Sequence, residues 1–163
     1  MSKKKSDMYN CRGKSIETGE WVYGKVFFIG SKAFILSVPK NQRAASVLDQ
    51  LGKYTKEVDV KSLGRYIGED DTDGRSIYEG DIILEEIGYG MKLETGDAAE
   101  CYYLIKWISK YNSFIPIPFE SGKLYKDIHL HLETMKAIRC VPHYVVGNVY
   151  DNSLDEFESK YVE

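Results

Sequence analysis

The residues with the most evident chemistry are three histidines and a cysteine in the last quarter of the chain. His129 and His131 are two residues apart, and Cys140 and His143 complete a group that spans fifteen residues. Imidazole and thiolate groups bind zinc, so this group is a candidate metal site. Structural zinc sites usually carry two closely spaced cysteines, and here there is one. We therefore expect polar histidines on the exposed face of a strand and no bound metal.

An acidic string in the middle of the chain has the alternation of a calcium loop. It reads Glu69-x-Asp71-x-Asp73-Gly74. An EF-hand loop needs a bidentate Glu at its twelfth position and helices on both sides. Counting from Glu69, that position is Gly80. Because Asp and Gly are turn formers in their own right, the string predicts a solvated hairpin turn.

Motifs for catalysis or nucleotide binding are incomplete in this sequence. There is no Gly-x-Ser-x-Gly elbow and no cysteine in a recognisable protease motif. Gly88-Tyr89-Gly90 lacks the third glycine of a dinucleotide fingerprint, and Gly13-Lys14-Ser15 supplies only the last three letters of a P-loop. The carboxylates show no paired arrangement of the glycosidase type. We expect no catalytic residues, no cofactor and no enzymatic activity.

The elements that position these residues are mainly strands, since aromatic residues make up 13% of the chain. Trp21 to Ile29 and Ala33 to Val38 predict a hairpin closed by Gly30-Ser31-Lys32. Gly64 to Gly68 and Ser76 to Tyr78 predict a second hairpin around Asp73-Gly74. Further strands are predicted at Asp81 to Leu84, Cys101 to Ile108, Ile128 to Leu132 and Tyr144 to Tyr150.

Helices, a loop and two prolines complete the predicted elements. Apolar spacing predicts a short helix from Asn41 to Leu51, before Gly52, and the Ser153/Glu156 spacing of a capping box predicts a C-terminal helix. Ile87 to Asp97 reads as a long loop. The segment Ser113 to Pro118 is not expected to be a central strand, because proline cannot donate to the ladder.

Length, charge and cysteine content limit the class of protein. The 163 residues suit a single domain, and the formal charge of −3 gives no broad footprint for a nucleic-acid backbone. Three separated cysteines are not a disulfide framework, and the longest apolar runs are too short to span a bilayer. Lys3, Lys4 and Lys5 precede polar residues rather than the apolar stretch of a secretion signal. We expect a soluble protein of the cytoplasm.

Three segments, taken together, resemble one family. The first runs from Tyr9 through Lys14 to Gly19-Glu20-Trp21-Val22-Tyr23-Gly24. The second contains Gly64-Arg65-Tyr66-Ile67-Gly68 and Asp73-Gly74-Arg75-Ser76-Ile77-Tyr78-Glu79-Gly80-Asp81-Ile82-Ile83. The third is Val146-Gly147-Asn148-Val149-Tyr150-Asp151-Asn152. Their order and character are similar to the YopX protein family of bacteriophages and prophages of Gram-positive bacteria. Residues from about Met91 to Tyr144 lie outside this resemblance.

The resemblance implies a mainly β fold with a small SH3-like barrel, a phage origin and a biochemical role that is unassigned for the family. It supplies no active-site residues. With the predicted elements, it gives a single domain over residues 1–163, with a variable β-rich insertion at about 87–144 and one or two short helices. We interpret the shared residues as structural, with the aromatics filling the barrel: Trp21, Tyr23, Tyr66, Tyr78, Gly80, Asp81, Gly147, Asn148 and Tyr150.

Three functional hypotheses follow from these observations. The preferred one is a non-catalytic interaction module that binds a host or phage protein in the cytoplasm of the bacterial host. The alternative is a weak nucleic-acid binder that uses the Lys3 to Lys5 arm and the barrel aromatics, which the acidic total charge disfavours. The third is a metal-dependent enzyme built on His129, His131 and His143. No membrane partner is expected, and a homo-oligomer is left open.

Overall fold

The computed structural model describes residues 10–38, 46–87, 99–120, 123–124 and 142–157. These residues are mainly β, as predicted, and form two antiparallel sheets. The chain divides into two compact units, residues 1–68 and residues 69–163.

The first unit contains four complete strands, a helix and the start of a fifth strand. The strands pair in the order β4-β3-β2-β1-β5, and a sixth strand of the same sheet, β6 at Ser76–Tyr78, follows β5 in that order. The predicted first hairpin is confirmed, with Gly30 and Ser31 between β2 and β3. The bounds are β1 Cys11–Lys14, β2 Trp21–Ile29, β3 Lys32–Leu36, α1 Val47–Tyr54, β4 Thr55–Val58 and β5 Gly64–Asp70.

The sheet of the first unit is curled around a small aliphatic core. Ala33, Ile35 and Val58 are almost fully buried, and Val22 and Val26 of β2 pack against them. An isolated bridge between Ser15 and Val58 brings the chain after β1 back to β4. This contact does not extend into a ladder, and the described strands do not form a closed barrel. The SH3-like barrel implied by the resemblance is therefore not confirmed.

The first helix begins later and ends later than predicted. The helix runs from Val47 to Tyr54 and includes Gly52. Residues 41–45 of the predicted helix lie outside the described residues. Ser46 and Asp49 form a complete capping box, which explains the start at Val47. Gly52 does not adopt a positive φ, so it does not end the helix.

The second unit contains the other sheet, whose strand order is β10-β9-β8-β7-β11. The predicted strands at 81–84, 101–108 and 144–150 are confirmed with changed ends, and β11 carries a bulge between Val145 and Gly147. Gly147 lies at the register shift within this predicted strand. The bounds are β6 Ser76–Tyr78, β7 Asp81–Ile87, β8 Ala99–Ile108, β9 Ser113–Glu120, β10 Lys123–Leu124 and β11 His143–Asn148.

The proline segment is a strand, which differs from the prediction. Pro116 pairs with Ile105 and Pro118 pairs with Tyr103 along β8. The backbone nitrogens of residues two apart point to the same edge of a strand. The nitrogens of both prolines, which have no hydrogen to donate, can therefore point away from β8, so that no hydrogen bond to β8 is lost. On that side β10 pairs only with Glu120 and its neighbour, beyond both prolines.

The core of the second sheet is closed by the C-terminal residues. Ile82, Leu104 and Phe119 are buried, and Phe157 packs against them. The predicted capping box is present, but the described helix is a single 3₁₀ turn, Leu154–Glu156.

Other predictions lie outside the described residues. They concern the loop from residue 88 to residue 97, the strand at 128–132 and the lysine arm at 3–5. Within the described part of the chain, no helix is long and apolar enough to cross a membrane.

Candidate functional site

One side of the first sheet carries an unusual set of side chains. In the register of β1 and β2, Lys14 lies opposite Trp21, and Arg12 lies opposite Tyr23. Directly opposite residues of an antiparallel pair share a face, as do residues two apart on one strand. These four side chains therefore lie on one side of the sheet, while Val22 packs into the core on the other.

The same side of the sheet continues along β2 and β3. Phe27 and Phe34 are paired in register, and their rings stack with centroids 5.6 Å apart and planes 19° apart. Tyr23 is 47% exposed, and the other three rings are half-buried. We call Trp21, Tyr23, Phe27 and Phe34 the aromatic face. Along β2 it extends for about 20 Å, since each strand residue adds roughly 3.3 Å.

Cationic side chains are combined with these rings. The guanidinium carbon of Arg12 lies 4.6 Å from the centroid of the Trp21 ring, and Lys14 Nζ lies 5.5 Å from it. At these distances the cations are attracted by the negative face of the indole. Lys25 lies on the same side of β2, within the aromatic run. The aromatic face therefore carries positive charge as well as apolar area.

The total formal charge of −3 is the sum of a positive charge on the first unit and a larger negative charge on the second. Residues 1–68 contain 13 Lys and Arg against 6 Asp and Glu, a formal charge of +7. Residues 69–163 contain 9 Lys and Arg against 19 Asp and Glu, a formal charge of −10. The unit that presents the aromatic face is strongly basic. The expectation of no broad basic footprint was drawn from the total charge, which averages over both units.

A second group of chemically active side chains lies in a row across the second sheet. Glu85 of β7 is the register partner of His143 on β11 and of Cys101 on β8. The three side chains therefore share a face. Tyr103, two residues beyond Cys101, hydrogen-bonds with the Glu85 carboxylate. We call Glu85, Cys101, Tyr103 and His143 the polar row.

Burial controls the protonation of the polar row. Glu85 is only 4% exposed, and its Oε2 makes no hydrogen bond within the described residues. Burial raises the pKa of Glu85, against the lowering effects of the Tyr103 hydrogen bond and the charge of His143. Burial, followed by the neighbouring charge of Glu85, raises the pKa of the Cys101 thiol and of the Tyr103 hydroxyl.

These shifts favour packing over nucleophilic chemistry. A reactive cysteine has a lowered pKa and an imidazole or cation beside it. Here the carboxyl of Glu85 stands between the strand of Cys101 and the strand of His143, and the pKa of the thiol is raised. Because its pKa is raised above the ordinary 9.0, the Cys101 thiol keeps its proton at neutral pH and does not form a thiolate.

Only one member of the sequence-predicted metal group lies in the described part of the chain. His143 is the first residue of β11 and is buried at 9% exposure. His129, His131 and Cys140 lie outside the described residues. Among the described residues, no three His, Cys, Asp or Glu side chains are grouped closely enough to hold a metal ion.

The acidic string predicted to form a turn does so in the second unit. Asp71 is 6% exposed, and its two carboxylate oxygens accept hydrogen bonds from the backbone N–H groups of Arg75 at 2.8 Å and Val145 at 3.0 Å. The Thr72 hydroxyl accepts from the N–H of His143 at 2.9 Å. The turn thus covers the free edge of β11.

The turn at Gly80 brings two of the resemblance segments together. Gly80 has φ 87°, a left-handed conformation that favours glycine, and its carbonyl accepts from the N–H of Val149 at 3.0 Å. Asp81 is buried, and its Oδ2 accepts from the N–H of Tyr78 at 2.8 Å. These contacts are those of a structural turn.

The third segment of the resemblance also forms a turn, held by hydrogen bonds between residues that are close in sequence. The side-chain oxygen of Asn148 accepts from the N–H groups of Tyr150 at 3.0 Å and Asp151 at 3.1 Å. A side chain at Gly147 would meet Asn152 Oδ1 at 2.7 Å. Gly147 and Asn148 therefore fix the turn that follows β11.

The predicted barrel aromatics divide into two groups. Tyr66 and Tyr78 are buried at 6% and 7% exposure. Trp21 is half-buried, and Tyr23 lies on the aromatic face instead of filling an interior. Both sides of β2 carry large apolar residues, so the alternation did not show which side faces the core.

Sequence reasoning missed Phe27, Phe34 and the polar row. Charge counted over each half of the chain would have pointed to the basic unit. Neither Glu85 nor Tyr103 stands in a recognisable motif, because the polar row is assembled by strand register alone.

Comparison with known proteins gives one family. The model of the YopX protein family matches residues 11–155. No curated protein and no solved structure matches the chain.

Proposed function

The chain belongs to the YopX protein family, and we propose that it acts as a non-catalytic interaction module whose binding surface is the aromatic face. The observation that carries the proposal is the placement of Tyr23. It is 47% exposed on the outer side of a strand whose inner side already fills the core. The exposed part of its ring is therefore open to a ligand.

The composition of the aromatic face supports binding. Aromatic residues and arginine dominate the residues that contribute most to binding at protein interfaces, because large rings bury much area with few rotatable bonds. The face combines four rings with Lys14 and Lys25, while the buried Arg12 lies over the Trp21 ring. At the tip of the same hairpin, Ile29 lies on the same side of β2 as Tyr23, is 63% exposed and adds apolar area.

The absence of catalysis is part of the proposal. It is supported by the polar row, in which the pKa of the Cys101 thiol is raised. It is also supported by the structural roles of Asp71 and Asp81, whose carboxylates accept hydrogen bonds from backbone N–H groups.

A phage or prophage origin and action in the cytoplasm of a bacterial host complete the proposal. The resemblance of three segments to a family of phage proteins supports the origin. The sparse cysteines support a reducing compartment.

Affinity capture tests the proposal. Tagged protein and its Tyr23→Ala variant are used to capture partners from lysate of the source bacterium, with and without nuclease treatment. We expect the wild type to retain a partner that Tyr23→Ala retains roughly thirtyfold less, since an aromatic hot-spot residue contributes about 2 kcal/mol or more to binding. The matched control is Phe28→Ala, since Phe28 is an exposed aromatic on the opposite side of the same strand. Equal retention by wild type and Tyr23→Ala would contradict the proposal.

A further inference from the structure

We infer that the ligand of the aromatic face is a single-stranded nucleic acid. This inference rests on the proposed function and names the class of partner for the same surface. Its basis is the coincidence, among the described residues of one unit, of a strand-borne series of aromatic rings with eight Lys and Arg against five Asp and Glu.

The geometry of the rings suits unpaired bases. Proteins that bind single strands place aromatic side chains where successive bases stack, beside cations that follow the backbone. Trp21 and Tyr23 are two apart on β2, and Phe27 follows Lys25 by two. Alternate residues of a β-strand are about 6.6 Å apart, so the rings form a row along which a single-stranded nucleic acid can lie.

The accessible cations stand beside this row. Lys14 and Lys25 are half-buried, and Lys32 is exposed where β3 begins. Lys32 also pairs with Glu57 at 3.0 Å, which offsets its charge in the free protein. Arg12 is 5% exposed and lies over Trp21, so it supports the ring more than it contacts a ligand.

An acidic protein segment is the competing partner, and the rings disfavour it. Glutamate and aspartate side chains would pair with Lys14 and Lys25, but they carry no planar ring that could stack on the aromatic side chains. A base has a planar face for each ring and a phosphate for each cation, so one ligand accounts for both features. A duplex is disfavoured because its bases are already stacked on one another.

Fluorescence anisotropy with the full chain tests the inference. The probe is a labelled 15-nucleotide oligothymidylate, and the comparison ligands are a 15-base-pair duplex and polyglutamate. The test variants are Tyr23→Ala and Lys25→Glu. The controls are Phe28→Ala, on the opposite side of β2, and Lys110→Glu, with the same charge change in the acidic unit.

We expect micromolar binding of the oligothymidylate at about 50 mM salt, weakened roughly tenfold or more by Tyr23→Ala, as is typical for loss of one base-stacking ring. With three phosphate contacts the affinity should fall about tenfold to twentyfold between 50 and 200 mM salt, and Lys25→Glu should flatten that slope. Both controls should bind within about twofold of the wild type.

Equal binding of polyglutamate or of the duplex would overturn the inference, as would the absence of saturable binding. These failures are distinguishable from failure of the proposed function. If partner capture depends on Tyr23 and survives nuclease, while the oligothymidylate does not bind, the interaction module stands and the nucleic-acid inference is wrong. If neither depends on Tyr23, both are wrong.

Discussion

The ring of Tyr150 lies directly against Gly80, so that a Cβ atom built on Gly80 would stand 2.9 Å from Tyr150 Cε2. The contact joins two segments of the family resemblance that are 70 residues apart in the sequence. It is reinforced by pairing of Asp81 with Asn148 between β7 and β11. These residues of the family resemblance therefore contact one another and have a structural role in the second unit.

Gly80→Val should destabilise the protein by about 3 kcal/mol. The β-branched side chain must adopt φ 87° and displace the Tyr150 ring. Gly52→Ala is the control, because Gly52 lies in α1 with open space around its Cβ position, and it should stabilise by about 0.5 kcal/mol or more. Chemical unfolding measures both values. A Gly80→Val variant as stable as the wild type would show that the turn is not strained by a side chain.

Asp71→Ala should also cost about 3 kcal/mol. It removes the acceptor for two backbone N–H groups, those of Arg75 and Val145, and leaves both in a partly buried site. Asp71→Asn should cost less, since its amide oxygen still accepts one of them. Asp73→Ala in the same turn removes only an exposed pair with Arg75 at 3.9 Å and should stay within about 0.5 kcal/mol of the wild type. Equal losses for Asp71→Ala and Asp73→Ala would contradict this assignment.

Glu85 should make stability fall as the pH rises. Its pKa in the folded state is raised above the ordinary 4.5 by burial, so the folded protein holds a proton that the unfolded chain has released. Its contribution is fully present below about pH 4.5 and is lost as the pH passes through the raised value. Glu85→Gln cannot ionise, so its unfolding free energy should decline less between about pH 5 and pH 8 than that of the wild type.

Glu156→Gln is the control for this experiment, with the opposite sign. Hydrogen bonds from Asn152 and then from the backbone of Ser153 lower the pKa of Glu156, so its contribution is lost as the pH falls through that lowered value. If Glu85→Gln and the wild type show the same pH profile, Glu85 does not ionise in a buried environment.

Metal analysis tests the expectation for the histidine group. Protein purified without chelator should carry well under one equivalent of zinc, and EDTA should leave its Tm unchanged. One equivalent of zinc whose removal unfolds the protein would make His143 and its sequence neighbours a structural site.

The sequence predicted the local elements better than their assembly. The hairpin of β2 and β3, the turn at Gly74 and the irregularity of β11 at Gly147 follow from residue types that act within a few positions. The strand character of Pro116 was missed because it depends on how far β10 extends along β9.

The candidate site was harder to predict for the same physical reason. The outer position of Tyr23 depends on which side of β2 the core occupies, and both sides carry large apolar residues. The polar row depends on the register that places Glu85 between Cys101 and His143, and such register is not encoded in any one segment.

Site-specific photocrosslinking tests the central claim most directly, because it reports contact with a partner of any class. A benzoylphenylalanine replaces Tyr23 in one variant and Phe28 in the other, two exposed positions on opposite sides of β2. After irradiation in lysate of the proposed bacterial host, we expect a discrete adduct from position 23 and little from position 28. An adduct from position 28 alone, or none from position 23 where wild-type protein captures a partner, would contradict the aromatic face as the binding surface.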